Sequence, residues 1–254
     1  MLNLLYIELY KIFHQRRIYV FYIIILTFSF LFVYVTRNLP SADGTTIPLL
    51  LLQTVVSLII PIFTIIFQTD LFISEFRDGN MKMLLTRPIS RKQLFFAKLS
   101  CLLLLIASLY LFTFVLSYIL GGTMIGFHMV LDNEGGWSMF FNDMFQTFLV
   151  YLVSVIPMLA FGLLLGILAM FIRSNGTFIT VSIIGIFAMS IVGDLFKKVQ
   201  PYMITSYFSA STKLIGETYP LQNEIWLSWA VVLSYILFST WLSYALFLTK
   251  DIEV

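Results

Sequence analysis

The chain is poor in the residue types on which most soluble folds and most enzymes depend. Its 254 residues include one cysteine and two histidines, and only 11% are charged, against roughly 25% in soluble domains. The single Cys101 excludes a disulfide framework and a cysteine-based metal cluster. His14 and His128 are too far apart in sequence for a local metal motif. The phosphate-cradling string Gly-x-x-x-x-Gly-Lys-Ser/Thr is absent, because Gly121, Gly122 and Gly126 run into Phe127 and His128, so the chain carries no ATP site of that kind. No Glu-Glu pair or His-Glu-x-x-His occurs and neither histidine falls in an apolar run, which argues against an intramembrane hydrolase.

What the chain has in abundance is apolar length. Hydrophobic residues make up 60% of it and the mean hydropathy is +0.96. A helical membrane span needs about 20 apolar residues, so six spans take roughly half the chain and leave no room for a large soluble domain. Six long apolar stretches are read as transmembrane helices, 18–35, 47–68, 99–120, 145–172, 176–196 and 225–248, and all but the fifth are free of charge over these bounds. The fifth is the shortest, with Phe178 to Gly193 uncharged, and is extended at both ends to reach the needed length. The first is too long for the apolar part of a signal peptide and has no convincing cleavage site after Thr36, so it is read as an anchor. The fold class is therefore an all-α integral membrane protein, a single permease-like domain over 1–254.

An even number of spans puts both termini on one side, and basic residues choose that side. Arg37, Lys197, Lys198 and Lys213 fall on one face and the other eleven of the fifteen Lys and Arg on the opposite face. The termini are therefore expected to be cytoplasmic. Residues 1–17 place Leu2, Leu5, Leu9, Ile12 and Phe13 on one helical stripe with Asn3, Glu8, Lys11 and Gln15 off it, the pattern of an interfacial amphipathic helix. Continuation of the first span as a tilted helix is the alternative.

The inner connection Thr69 to Lys98 is the longest on that face and holds six of its basic residues. Gly79 can end a helix, Met81 to Leu85 gives about one turn, Pro88 forces the preceding residue out of helical geometry, and Ser90 can cap the helix that becomes span 3. A positive-inside loop would explain the charges but not that order of breakers and apolar residues. The string Glu75-x-x-x-Gly79-x-x-x-x-Leu84-Leu85-x-Arg87-Pro88-x-Ser90-Arg91, followed by Lys98, resembles the first cytoplasmic loop of type-2 ABC transporter permeases. The layout of an N-terminal amphipathic helix, six spans and both ends inside is similar too. Asn80-Met81-Lys82 departs from the family's more usual residues after the glycine.

The resemblance implies a short coupling helix that docks on a separate ATPase, with Glu75, Arg77, Gly79, Met81, Leu84, Leu85, Arg87, Pro88, Ser90 and Arg91 as its residues. It implies no cofactor in this chain, ATP and Mg on the partner ABC ATPase subunit, and a second permease copy. Membrane lipid is a further partner, through Arg91 and Lys92, and nucleic acid is not. It also implies a bacterial cell membrane and a partly re-entrant outer segment between spans 5 and 6, where Pro201 and Pro220 suit the breaks and Tyr202 to Phe208 is too apolar for a solvated loop. The expected role is the membrane subunit of an ATP-driven exporter for an amphipathic or hydrophobic cargo such as a peptide antibiotic, lipid or drug, and not an enzyme. A secondary carrier and a non-transporting immunity or scaffold protein are the alternatives. A carrier normally buries ionisable residues in its spans, and the uncharged runs, Phe178 to Gly193 in the fifth, contain no Asp, Glu, Lys, Arg or His.

Smaller features read as packing. Pro61 and Pro157 act as kinks that neighbouring helices can accommodate. Gly162-x-x-x-Gly166 lets another helix approach closely, within one subunit or between two. Cys101 and the span methionines fill space. Hydroxyls such as Ser57, Thr64, Ser108 and Thr113 either bond back to their own helix or line a polar path. Asn175-Gly176-Thr177 falls on the inner face and is no glycosylation acceptor.

Overall fold

The computed structural model describes residues 2–38, 43–73, 91–127, 136–172, 174–209 and 222–249. Among them the chain is helical, with no strand, and six helices are long and apolar enough to cross a membrane. Span 1 is Arg16–Thr36, span 2 Ile47–Ile73, span 4 Gly136–Phe171 and span 5 Asn175–Leu195. Span 3 is Arg91–Met124 and span 6 Gln222–Thr249. Several of these helices outrun the apolar stretches, because a helix continues past the hydrocarbon wherever tertiary partners satisfy its polar residues. Asp70 and Lys98 thereby enter helices from which the charge-free stretches omit them.

The N-terminal helix Leu2–Phe13 is separate from span 1. His14 forms a turn, Gln15 is extended at φ −77 and ψ 127, and a new helix starts at Arg16. Its inward face differs from the stripe expected from apolar spacing. Glu8 and Ile12 are buried, whereas Phe13 is exposed together with Tyr6, Ile7 and Tyr10.

Span 1 buries one stripe, Ile18, Phe21, Ile25, Ser29 and Val33, at the three- and four-residue spacing of a helix with one packed face. Phe21 stacks on Phe63 at 4.2 Å and meets Phe67 edge-on at 5.2 Å. The Tyr22 and Ser108 hydroxyls share a 2.8 Å hydrogen bond, a polar tie of the kind that joins helices in lipid.

Span 2 is not a uniform α-helix. It contains two π-helical turns, Leu52–Val56 and Thr69–Ile73, on either side of an α segment that holds Pro61. Proline lacks an N–H and its ring crowds the carbonyl four residues back. The Ser57 hydroxyl, at that level, donates to Gln53 O at 2.6 Å, which is the back-bonding expected of a span serine.

Span 4 is the hub. In its most apolar stretch 61% of residues are buried, against 17% for span 5. A Cβ on Gly162 would sit 2.8 Å from Leu102 Cδ2 and 3.4 Å from Thr64 Cγ2, whereas one on Gly166 would meet nothing within 4 Å. Gly162 thus packs span 4 against spans 2 and 3 of the same chain. Buried Gln68 donates from Nε2 to Gly162 O at 2.6 Å, fixing the same contact with a polar bond.

Phe95 of span 3 packs on Tyr244 and Phe247 of span 6 at 5.6 and 5.7 Å. The start of span 3, the end of span 6 and the N-terminal helix therefore share one face of the bundle, here called the termini face. On the far face Gly44 N donates to Gly126 O at 3.0 Å. A Cβ on Gly44 would lie 2.7 Å from Gly126 O and 2.8 Å from Gly121 O. Gly126 has φ 92, in the left-handed region that favours glycine. The loop before span 2 and the end of span 3 are thus pressed backbone to backbone.

Candidate coupling junction

The most unusual polar group of the molecule is Lys98, two turns into span 3. Its side chain is 0% exposed. Taking an ammonium out of water costs several kcal/mol unless partners compensate, and the chain supplies three of them from two other elements. Nζ donates to Leu71 O at 2.6 Å, in the last described turn of span 2. It lies 3.8 Å from Glu8 Oε1 of the N-terminal helix, itself buried. It also stands 5.5 Å from the centre of the Phe72 ring, within the range of a cation–π contact.

A second ion pair runs parallel to the first. Arg17 Nη1 donates to Asp70 Oδ1 at 2.8 Å, with the arginine 67% exposed and the aspartate 13%. It joins the first turn of span 1 to the π-helical end of span 2. Because the arginine is in solvent, the pair contributes about 1 kcal/mol or less. The buried Lys98 site dominates the junction, since breaking a buried pair leaves an uncompensated charge.

The position of this cluster matters more than its strength. Leu71 precedes residues 74–90 and Lys98 follows them, so one ammonium closes the chain across the whole connection between spans 2 and 3. Glu75, Arg77, Gly79, Met81, Leu84, Leu85, Arg87, Pro88 and Ser90 lie outside the described residues, and Arg91 is the first residue of the span 3 helix. The structure therefore defines the frame that holds both ends of the expected coupling segment.

Glu8, Arg17 and Asp70 were not singled out by the sequence reading. Glu8 had a signal, as the one acid among the first seventeen residues; a lone charge inside an apolar helix needs a partner in the fold. Asp70 sits directly beyond an apolar run and invites the same question.

A second feature lies between spans 2 and 5. A cleft of about 200 Å³ is lined by Ser57, Pro61, Ile62, Ile186, Ser190 and Phe208, among others. Its roof comes from the segment after span 5, where Ile204, Tyr207 and Phe208 are buried. Phe208 meets Phe161 of span 4 edge-on at 5.3 Å, and Tyr235 of span 6 donates its hydroxyl proton to Tyr202 O at 3.0 Å.

The family model described as ABC-2 family transporter protein matches residues 4–165, which takes in the N-terminal helix, spans 1 to 3 and most of span 4. The chain belongs to this family. It is a multi-pass membrane protein and a permease component of an ABC transporter, as the loop between spans 2 and 3 suggested. No curated protein matches the chain.

Proposed function

We propose that the chain is the membrane subunit of an ATP-driven exporter whose ATPase is a separate polypeptide, and that two permease copies form the path for an amphipathic or hydrophobic cargo. In this reading the termini face is cytoplasmic. ATP and Mg belong to the partner, whose closure pushes on residues 75–91 and tilts spans 2 and 3. The observation that carries the reading is the Lys98 site, which ties both ends of that segment to each other.

Two further observations support it. Span 5 is buried over little of its length, so it has a face for a second copy. The cleft beside it combines the hydroxyls of Ser57 and Ser190 with apolar walls, a lining suited to an amphipathic molecule and not to a small ion. Arg91 and Lys92 suit anionic headgroups at the cytoplasmic surface. A secondary carrier fits less well, because Asp70 and Lys98 are engaged in pairs near the helix ends and not placed along a mid-membrane route.

The test is purification of the chain from its own cells with any ABC ATPase subunit that accompanies it, followed by substitution of Glu75 or Gly79. The expected result is a stoichiometric complex in which either variant still inserts and still allows ATP hydrolysis but no longer exports. A lone stable permease, or export that proceeds unchanged in both variants, contradicts the reading.

A further inference from the structure

We infer that Lys98 is a positioning residue that makes the N-terminal helix part of the moving coupling unit, by joining that helix and both ends of the 74–90 connection into one body. The inference rests on the permease reading above and goes beyond it, because that reading needs only spans 2 and 3 to respond to the ATPase.

The argument is one of geometry. Three elements meet at a single Nζ: Glu8 on the N-terminal helix, Leu71 on the last π turn of span 2, and the lysine's own span 3. Covalently the N-terminal helix connects only to span 1, through the break at His14 and Gln15. Glu8 and Ile12 point into the junction while Tyr6, Ile7 and Tyr10 face outward. The helix would otherwise be held by the partly buried Leu5 and Leu9 and by Ile12. The buried charge pair penalises any motion in which the helix stays behind while span 3 moves, since separation would draw a buried carboxylate and ammonium apart in a low-dielectric setting. Arg17 and Asp70 tie the start of span 1 to the same end of span 2.

The experiment is backbone amide exchange on the permease in nanodiscs, alone and with its ATPase, for the wild type, K98M, K98R and E8Q. Methionine keeps the apolar length of the lysine stem, so loss of packing is separated from loss of charge. With the permease alone, K98M is expected to raise exchange over residues 5–12 and 69–73 together, and E8Q over residues 5–12 alone, by about tenfold or more. K98R should stay near wild type and span 4 should be unchanged in all variants, the latter showing that the bundle is folded. With the ATPase, trapping by vanadate should alter exchange of residues 5–12 in the wild type, and in K98M it should alter only the 74–90 connection. Wild-type exchange in K98M over residues 5–12, or an equal vanadate response there, overturns the inference. Should K98M fail to fold, E8Q carries the same test, since it leaves Lys98 and its bond to Leu71 in place. If no ATPase associates with the wild type, the permease reading has failed, and the arm without ATPase still decides whether Lys98 joins the three elements.

Discussion

The two faces of the bundle are fastened by opposite means. On the far face, Gly44, Gly121 and Gly126 bring backbone against backbone, with a hydrogen bond of 3.0 Å and no room for a Cβ. On the termini face, Lys98, Glu8, Arg17 and Asp70 join the same neighbourhood of helices through charge. The glycine contact is steric, short-ranged and unforgiving, so it suits a fixed pivot. The charged contact is directional and depends on single atoms, so it can transmit a displacement and can be cut by one substitution. Spans 2 and 3 meet both, and in the exporter mechanism proposed above the glycine end would serve as the pivot and the charged end as the lever.

That contrast can be broken at either end. The largest effect is expected from K98M, which removes the buried ammonium beside Glu8. Loss of a partner from a buried pair costs about 3–5 kcal/mol, and amide exchange should show it as opening of the N-terminal helix and not as unfolding of span 4. Next comes G44A or G121A, where a Cβ would press on backbone oxygens at 2.7 Å. Overpacking of this kind costs about 1–3 kcal/mol, and it should appear as a lower unfolding midpoint of the whole bundle, read by thermal scanning in detergent. R17A should change stability by about 1 kcal/mol or less, because its guanidinium is in solvent. A shift as large as that of K98M would mean that the outer pair is the true fastening.

The central helix offers a sharper comparison on a smaller scale. G166A adds a methyl where nothing lies within 4 Å, and replacing a helical glycine by alanine favours the helix by up to about 1 kcal/mol. The midpoint should rise or hold. G162A must displace Leu102 and should lower it, so the two glycines of one motif are expected to differ in sign.

The sequence made the six spans readable, because each is a long run without charge and length alone separates such runs from buried core helices. It also made the connection between spans 2 and 3 conspicuous, through the order of Gly79, Leu84, Leu85, Pro88 and Ser90. It did not reveal that span 2 carries two π turns or that its helix continues to Ile73, where Lys98 donates to Leu71 O from 27 residues away, a partner that local spacing does not show. The N-terminal helix keeps Leu5, Leu9 and Ile12 of its apolar stripe at least partly buried but exposes Phe13 and buries Glu8, for a related reason. Apolar periodicity counts Glu8 as outward, whereas a tertiary partner turns it inward. Gly162 was legible as a close-approach site, but which helices approach it is decided by span 4 lying at the centre of the bundle.

The most direct test concerns the side and the partner of the connection itself. A cysteine placed at Met81 can be probed with a membrane-impermeant maleimide in intact cells and in inverted vesicles, and Cys101, fully buried, gives no competing signal. The account predicts labelling in inverted vesicles alone, and protection once the ATPase is bound. Labelling from the outside of intact cells would contradict it.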